Sequence, residues 1–323
     1  MPLARRRLAL AAQVALAAGV LWFAGNAVVR QWDAVRQAAL DVHPRWTAVA
    51  LSGAVVIATY ALLIALWRAT LTLWGERLAF RAAAHVWFVS NLGRYVPGKV
   101  WQIGAMGVMA QRRGVAPAAA IGSALLLTLV NVLAGFAVVF ATGAQVLEAA
   151  GVGSSAVKLG PVVTAGLLVL LLVTPVILPP LARLFELGAG RSVGLPAVPA
   201  RAVWLATAGN IAAWLLYGAA FTLFAAGVLG RVAGNWVSYT AVYTGSYLVG
   251  YLVLFAPGGI VFREAAMVAG LTSLGLATTP EAALLAVASR LWLTVLEIAP
   301  GALFLAFAAA RPAPRNTPRN VST

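Results

Sequence analysis

The sequence contains no cysteine, two histidines and little charge, and each scarcity excludes a class of protein. Without cysteine there is no disulfide and no thiol chemistry. The histidines, His43 and His85, are isolated from each other, which argues against a zinc site. Only 10% of the 323 residues are charged, against about a quarter in a typical soluble domain. An ordinary soluble protein, a disordered chain and a coiled coil are therefore excluded.

The motifs of soluble enzymes are also missing. The chain has no P-loop, no HExxH and no GxSxG sequence. Gly188, Gly190 and Gly194 cluster, but at the wrong spacing for a dinucleotide site. The sequence therefore predicts no catalytic residue, no metal and no cofactor, and it favours a protein that is not an enzyme.

Hydrophobic residues make up 62% of the chain. Apolar runs of about 20 residues, the length that spans a bilayer, recur along it. The sequence therefore predicts an all-α integral membrane protein with about six full crossings, at 8–29, 46–67, 115–146, 161–182, 202–229 and 282–309. The first run also resembles a signal peptide, with Ala15-Leu16-Ala17 as cleavage site, but its length favours an uncleaved crossing.

Two further apolar segments are interrupted. The segment 82–110 contains Pro97-Gly98, and the segment 236–276 contains Pro257-Gly258-Gly259. Proline removes a backbone donor and glycine frees the backbone, so each pair breaks its helix. Both segments are predicted to be re-entrant helical hairpins. Their non-helical backbone must be covered by protein or line a water-filled cavity.

Positive charge supports this topology. The net charge is +15, from 23 Lys and Arg against 8 Asp and Glu. With hairpins that return to their starting side, 14 basic residues lie on the side of the N-terminus and five on the other. The positive-inside rule then places both termini in the cytoplasm of a multi-pass plasma-membrane protein. This bias explains the charge without nucleic acid, which is not an expected partner.

The order of segments repeats within one membrane domain, 1–310. Residues about 1–147 have the order crossing, crossing, hairpin, crossing, and residues about 160–310 repeat it from the opposite side. This is the pattern of an inverted repeat, in which paired broken segments indicate a binding site near the midplane. The tail at 311–323 is predicted to be a disordered cytoplasmic end.

Four cations lie in or beside the broken segments: Arg94, Lys99, Arg263 and Arg290. A charge near the centre of a membrane helix costs about 2.5–3.5 kcal/mol on insertion scales. The long side chains either snorkel to the interface or face a cavity, a partner charge or an anionic ligand.

The helices that follow the two breaks favour an anionic ligand as the partner of these cations. They are predicted to begin at about Lys99 and about Ile260, within the protein. Free N–H groups there favour an anion, and Gly98, Gly258 and Gly259 leave room for it. Because arginine suits bidentate contact with phosphate, the preferred ligand is a phosphate-like anion.

The intramembrane acids are Glu264 and Glu297. Arg290 and Glu297 are seven residues apart and share one helix face. Two pairings stay open, Glu264 with Arg290 and Glu297 with Arg263. The carboxylates either fix helix packing through charge pairs or bind a coupling proton.

Four tyrosines recur every four residues and form a stripe on one helix: Tyr239, Tyr243, Tyr247 and Tyr251. The stripe either packs and anchors the helix or forms an amphipathic wall for a lipid head group. Trp87, Trp101 and Gln102 flank the first break and have the same two interpretations. Three further polar residues are predicted to form hydrogen bonds between helices: Asn91, Thr128 and Asn131.

Both breaks resemble the signatures of the lysylphosphatidylglycerol synthase transmembrane-region family. Its first signature is similar to Asn91-Leu92-Gly93-Arg94-Tyr95-Val96-Pro97-Gly98-Lys99-Val100-Trp101-Gln102. Its second, usually PGGxGxREA, resembles Ala256-Pro257-Gly258-Gly259-Ile260-Val261-Phe262-Arg263-Glu264-Ala265-Ala266. The chain departs at Val261-Phe262, where the signature has Gly at position 261 or close to it. The resemblance spans about 8–310.

The resemblance implies lipid handling. The family is similar to the flippase portion of bifunctional synthase/flippases, which move aminoacylated phosphatidylglycerol between leaflets. Aminoacyl transfer belongs to a separate soluble domain in those enzymes, and this chain has no room for it. Some stand-alone members are linked to glycolipid, hopanoid or polyprenyl-phosphate pathways.

We therefore expect a flippase-like translocator or binder of a phosphate-bearing lipid, either a phospholipid or a polyprenyl phosphate. The alternatives are a membrane enzyme or accessory subunit with Glu264 or Glu297 as acid or base, and a small-anion transporter. A homo-oligomer and an enzyme of lipid synthesis stay open as protein partners. The candidate substrate-binding residues are Arg94, Tyr95, Pro97, Gly98, Lys99, Trp101, Gln102, Tyr247, Pro257, Gly258, Gly259, Arg263, Glu264, Arg290 and Glu297.

Overall fold

A computed structural model describes residues 42–92, 100–149, 157–189, 199–253 and 259–309. All regular secondary structure within these ranges is helical, which confirms an all-α protein. The helices are α1 (Trp46–Leu73), α2 (Phe80–Asn91), α3 (Val100–Gln111), α4 (Pro117–Thr142), α5 (Ala144–Ala149), α6 (Gly160–Ala189), α7 (Ala200–Leu229), α8 (Trp236–Leu252), α9 (Phe262–Ser273) and α10 (Thr279–Ala309). The predicted crossing at 8–29 and the tail at 311–323 lie outside the described residues.

Five of the described helices are long and apolar enough to cross a membrane: α1, α4, the first part of α6 (Gly160–Ile177), α7 and α10. They match the other five predicted crossings. The 26-residue α4, for example, rises about 39 Å, more than the roughly 30 Å hydrocarbon core. Large apolar side chains remain exposed on these helices, with Val176 74% exposed and Val162 65%. Such a surface suits lipid rather than water, as expected of a membrane protein.

The two broken segments form pairs of shorter helices. α2, α3 and α9 contain 12 residues each, and α8 contains 17. A 12-residue helix rises about 18 Å, too little to cross a core of roughly 30 Å. α2 packs against α3, and α8 packs against α9, as in the predicted hairpins. The return of each hairpin to its starting side of the membrane stays a prediction.

The helices after the breaks begin close to their expected positions. α3 begins at Val100, one residue after the expected Lys99. α9 begins at Phe262 rather than at Ile260. The start of α9 is delayed because Val261 has a φ of 76°, outside the helical region, and donates its N–H to the Glu264 carboxylate.

α1 and α7 pack closely over several turns. A Cβ on Gly209 would lie 2.8 Å from both Leu66 methyl carbons, so the glycine lets the two helices approach. Ser52 Oγ donates to the Ala220 carbonyl at 2.8 Å. Small residues and hydrogen bonds between helices are the usual means of packing in membranes, where lipid competes with any apolar contact.

The described parts of the two predicted halves have matching contacts. The first half contains α1, the α2–α3 pair and α4, and the second contains α6, α7, the α8–α9 pair and α10. α2 contacts α10, and α8 contacts α4, so each hairpin packs against the last long helix of the other half. The two helix pairs therefore share α4 and α10 as neighbours. The inverted relation of the halves stays a prediction.

Candidate functional site

A cavity of about 180 Å³ lies among eight of the helices. α1 to α4 and α7 to α10 each contribute at least one lining residue. The wall mixes apolar and aromatic side chains with a few polar and charged ones, which is the usual composition of a ligand pocket. Among the described residues, three charged side chains line the cavity, all from the second half of the chain: Arg263, Arg290 and Glu297.

Arg263 is the most deeply buried of these charges. It lies in the first turn of α9 and is 8% exposed. Its guanidinium carbon lies 5.3 Å from the ring centroid of Tyr243 and 5.5 Å from that of Tyr247. Contact with ring faces offsets part of the cost of burial, but it leaves N–H donors unused. Within the described residues, the buried Nη2 atom has no hydrogen-bond partner.

Glu264 uses both of its carboxylate oxygens. Oε1 pairs with Arg290 Nη1 at 3.4 Å, so the first of the two open pairings is the one observed. Oε2 accepts the Val261 N–H at 2.7 Å. The anion at the start of α9 is thus supplied by the protein itself, which corrects the expectation that this N–H would be free for a ligand. An acid in the first turn also complements the helix dipole.

Arg290 and Glu297 both line the cavity, as their seven-residue spacing predicts. The hydroxyl of Tyr60 on α1 donates to Glu297 Oε1 at 3.3 Å. A carboxylate that accepts a hydrogen bond from Tyr60 therefore lines the cavity, on the same helix as Arg290. Tyr60 was not expected here, because it lies within a continuous apolar run.

In the tyrosine stripe of α8, some rings line the cavity and one packs in the core, so both predicted roles of the stripe are represented. Tyr243, Tyr247 and Tyr251 line the cavity, and the rings of Tyr247 and Tyr251 stack with centroids 6.3 Å apart. Tyr239 is fully buried, and its ring packs edge-on against Phe221. A spacing of four residues exceeds the 3.6 residues of a helical turn, so the stripe winds from the core to the cavity.

Amide side chains form another part of the wall. Gln102 Nε2 donates to Asn91 Oδ1 at 2.5 Å, joining α3 to α2. Asn131 Nδ2 donates to Asn210 Oδ1 at 2.9 Å, joining α4 to α7. The predicted bonds between helices are thus present for Asn91 and Asn131. Thr128 instead donates to Ala124 within its own helix, so that prediction was wrong.

The structure brings together most of the described candidates. Five of them line the cavity: Gln102, Tyr247, Arg263, Arg290 and Glu297. Glu264 contacts the cavity through Arg290. Gly259 has a φ of 69° and lies against Gly250, another lining residue. The side chain of Trp101 is not among those described. The remaining candidates lie outside the described residues: Arg94, Tyr95, Pro97, Gly98, Lys99, Pro257 and Gly258.

Two aromatic residues of α7, Trp214 and Tyr217, complete the wall and were not expected from the sequence. Trp214 Nε1 donates to the Asn131 carbonyl at 2.9 Å, and its ring lies 5.1 Å from that of Tyr247. Tyr217 stacks on Tyr243 at 5.8 Å. These contacts connect the amides to the rings around Arg263. No local pattern in the sequence marks either residue.

Comparison with models of protein families and with curated proteins finds no match for this chain. The resemblance to the lysylphosphatidylglycerol synthase transmembrane-region family therefore stays a prediction.

Proposed function

We propose that the protein binds the head group of a phosphate-bearing anionic lipid in this cavity and moves the lipid between leaflets. The observation that carries the proposal is Arg263. Its guanidinium is 8% exposed, lies over two tyrosine rings, and has a buried Nη2 without a partner in the described residues. An anion is the ligand that such a group requires.

Electrostatics favours this ligand strongly. A buried charge without a hydrogen-bonded partner is destabilising by several kcal/mol. A phosphate oxygen at about 4 Å would gain roughly 4 kcal/mol at an effective dielectric constant of 20. Arginine also donates two parallel hydrogen bonds to phosphate, which ammonium groups cannot do.

The surroundings support a lipid as carrier of the phosphate. The apolar outer surfaces of the long helices place the protein in lipid. Two broken helix pairs contact the same cavity, and rocking of one half against the other would open it to each leaflet in turn. The resemblance to a flippase family points the same way. In this proposal the protein lies in the plasma membrane with both termini in the cytoplasm.

Arg263→Gln tests the proposal. The purified chain is reconstituted into liposomes containing fluorescent phosphatidylglycerol, and a membrane-impermeant quencher reports its movement between leaflets. The wild type should accelerate this movement, and Arg263→Gln should reduce the acceleration at least about tenfold, since a charge-assisted pair contributes more than 1.4 kcal/mol.

Arg201→Gln is the matched control, because Arg201 is an exposed arginine at the start of α7 and away from the cavity. It should transport like the wild type. Both variants must insert and elute as the wild type does. Transport by Arg263→Gln at the wild-type rate would contradict the proposal.

An enzyme acting on a lipid-linked substrate is the second candidate, and Glu297 is our proposed acid or base because its side chain lines the cavity. Glu297 lines the cavity itself and accepts a hydrogen bond from the Tyr60 hydroxyl, and Glu264 binds Arg290 and the Val261 N–H. Mass spectrometry of the lipids after incubation separates the two functions. A covalent change that Glu297→Gln abolishes would favour the enzyme, and unchanged lipid masses would favour translocation.

A further inference from the structure

Two buried donors line the cavity without partners in the described residues, and they differ in kind. One is the charged Nη2 of Arg263 on α9. The other is the neutral indole Nε1 of Trp87 on α2. A buried polar group that lacks a partner calls for an explanation, and a ligand is one. A phosphate would be the missing partner of Arg263 Nη2. The neutral Trp87 N–H lies on the other helix pair, so it requires a second acceptor on the ligand.

The wall around Trp87 is rich in amides. Asn91 follows Trp87 by one helical turn, and Gln102 faces Asn91 across the hairpin. That hydrogen bond uses one donor of Gln102 and the acceptor of Asn91, and each amide carries both kinds of atom. Within the described residues, Gln102 Oε1 and Asn91 Nδ2 make no further hydrogen bond. This part of the wall therefore offers a ligand one hydrogen-bond acceptor, Gln102 Oε1, and two donors, Asn91 Nδ2 and the Trp87 indole N–H.

Hydroxyl groups match this set. A hydroxyl donates one hydrogen bond and accepts two, so adjacent hydroxyls satisfy an amide oxygen, an amide N–H and an indole N–H together. An acyl chain satisfies none of them, and a second anion would be repelled by the unpaired amide oxygen. The aromatic rings that continue the wall, Tyr60 and Tyr217, offer flat apolar surfaces for the carbon skeleton of such a group.

We propose that the ligand's phosphate is linked to a neutral polyhydroxyl group, a sugar or a cyclic polyol, and that Trp87, Asn91 and Gln102 bind its hydroxyls. Arg263 binds the phosphate on the opposite helix pair. The inference rests on the proposed function, since it extends the same cavity. The α2–α3 hairpin thereby selects the head group, and the α8–α9 hairpin holds the charge.

Head-group preference tests the inference. Binding of dioctanoyl phosphatidylinositol and dioctanoyl phosphatidic acid to the purified full chain is measured by titration calorimetry in detergent. Wild type should bind phosphatidylinositol at least about tenfold more tightly. Trp87→Phe and Gln102→Met keep the bulk of each side chain but remove its hydrogen-bonding atoms. Each should lower the affinity for phosphatidylinositol about two- to tenfold, and leave that for phosphatidic acid unchanged.

The chain supplies a matched control for the tryptophan. Trp292 on α10 also has a buried Nε1 without a partner in the described residues, but it does not line the cavity. Trp292→Phe should therefore leave the preference intact. Equal binding of the two lipids by the wild type, or equal loss of preference in Trp292→Phe and Trp87→Phe, would overturn the inference.

Failure of the inference is distinguishable from failure of the proposed function. If Arg263→Gln abolishes binding of both lipids while no preference exists, the phosphate site stands and the polyol site falls. If Arg263→Gln changes neither affinity, the phosphate site itself falls, and the polyol inference falls with it. Glycerophosphoinositol, which lacks acyl chains, identifies the source. Binding as tight as that of the lipid indicates a soluble polyol phosphate, and much weaker binding indicates the lipid; both outcomes support the polyol chemistry.

Discussion

Val261 has an unusual backbone conformation for a β-branched residue. Its φ of 76° and ψ of −52° lie close to the γ-turn with positive φ, which is rare and strained. Such conformations cost about 1–3 kcal/mol and persist where the surroundings hold them. Here the Glu264 carboxylate accepts the Val261 N–H at 2.7 Å, and Arg290 in turn holds Glu264. The strain therefore lies next to the buried Arg263.

Val261→Gly should stabilise the protein by about 1 kcal/mol. Relief of about 1–3 kcal/mol of strain exceeds the 0.5–1 kcal/mol that glycine's extra freedom in the unfolded chain usually costs. The measurement is the midpoint of thermal unfolding in detergent. Val253→Gly is the control at the other side of the same break, because Val253 has an ordinary φ of −76°. Val253→Gly should lower the midpoint. A lower midpoint in Val261→Gly as well would contradict the presence of backbone strain at Val261.

At the scale of helices, Gly250 sets the distance between α8 and α9. A Cβ at this position would lie 2.8 Å from Arg263 Cβ and 3.3 Å from the Gly259 carbonyl oxygen. Neither neighbour can retreat easily, since one is backbone and the other is the first side-chain atom of Arg263. The close approach of the two helices therefore places the Arg263 guanidinium against the rings of Tyr243 and Tyr247.

Gly250→Ala should separate the two helices and lower stability by about 1–3 kcal/mol, the usual cost of overpacking. Gly245→Ala is the matched control in the same helix, where the nearest atom to an added Cβ is a Val139 methyl at 3.9 Å. Alanine favours a helix over glycine by about 1 kcal/mol, so the control should be neutral or stabilising. Thermal unfolding of the two variants measures the difference. Similar midpoints would show that Gly250 is not a packing constraint.

Helices were predictable from the sequence, whereas the cavity wall was predictable only in part. Apolar runs and Pro-Gly breaks are local signals, so α4 and α7 were expected within a few residues of their observed ends. Charges stand out in an apolar chain, so Arg263 and Arg290 were identified. Tyr60 and Tyr217 were not, because only the packing of α1 against α7 turns them toward the same space. Asn210 did carry a signal, since an amide within a membrane helix requires a partner.

At the scale of the whole molecule, a polar contact lies close to the end of each hairpin that is away from its break. Arg113, just after α3, contacts the His85 ring on α2. Arg231, in the connection between α7 and α8, pairs with Glu281 at the start of α10 at 2.7 Å. If the two halves are inverted, these contacts lie at opposite surfaces of the membrane. Exposed pairs of this kind contribute little stability, so we use them to locate the hairpin ends and not to explain why the hairpins are stable.

Labelling of single cysteines tests the inverted arrangement, and the natural chain is a ready background because it contains no cysteine. Arg112 and Val232 are both exposed, one at the end of each hairpin. A membrane-impermeant maleimide applied to intact cells should label Val232→Cys, and it should label Arg112→Cys only after permeabilisation. In detergent both should react, which controls for accessibility. Reaction of both variants from the same side would mean that the two hairpins enter from one surface. The breaks would then not meet from opposite leaflets, and alternating exposure of one cavity by rocking of the halves would lose its structural basis.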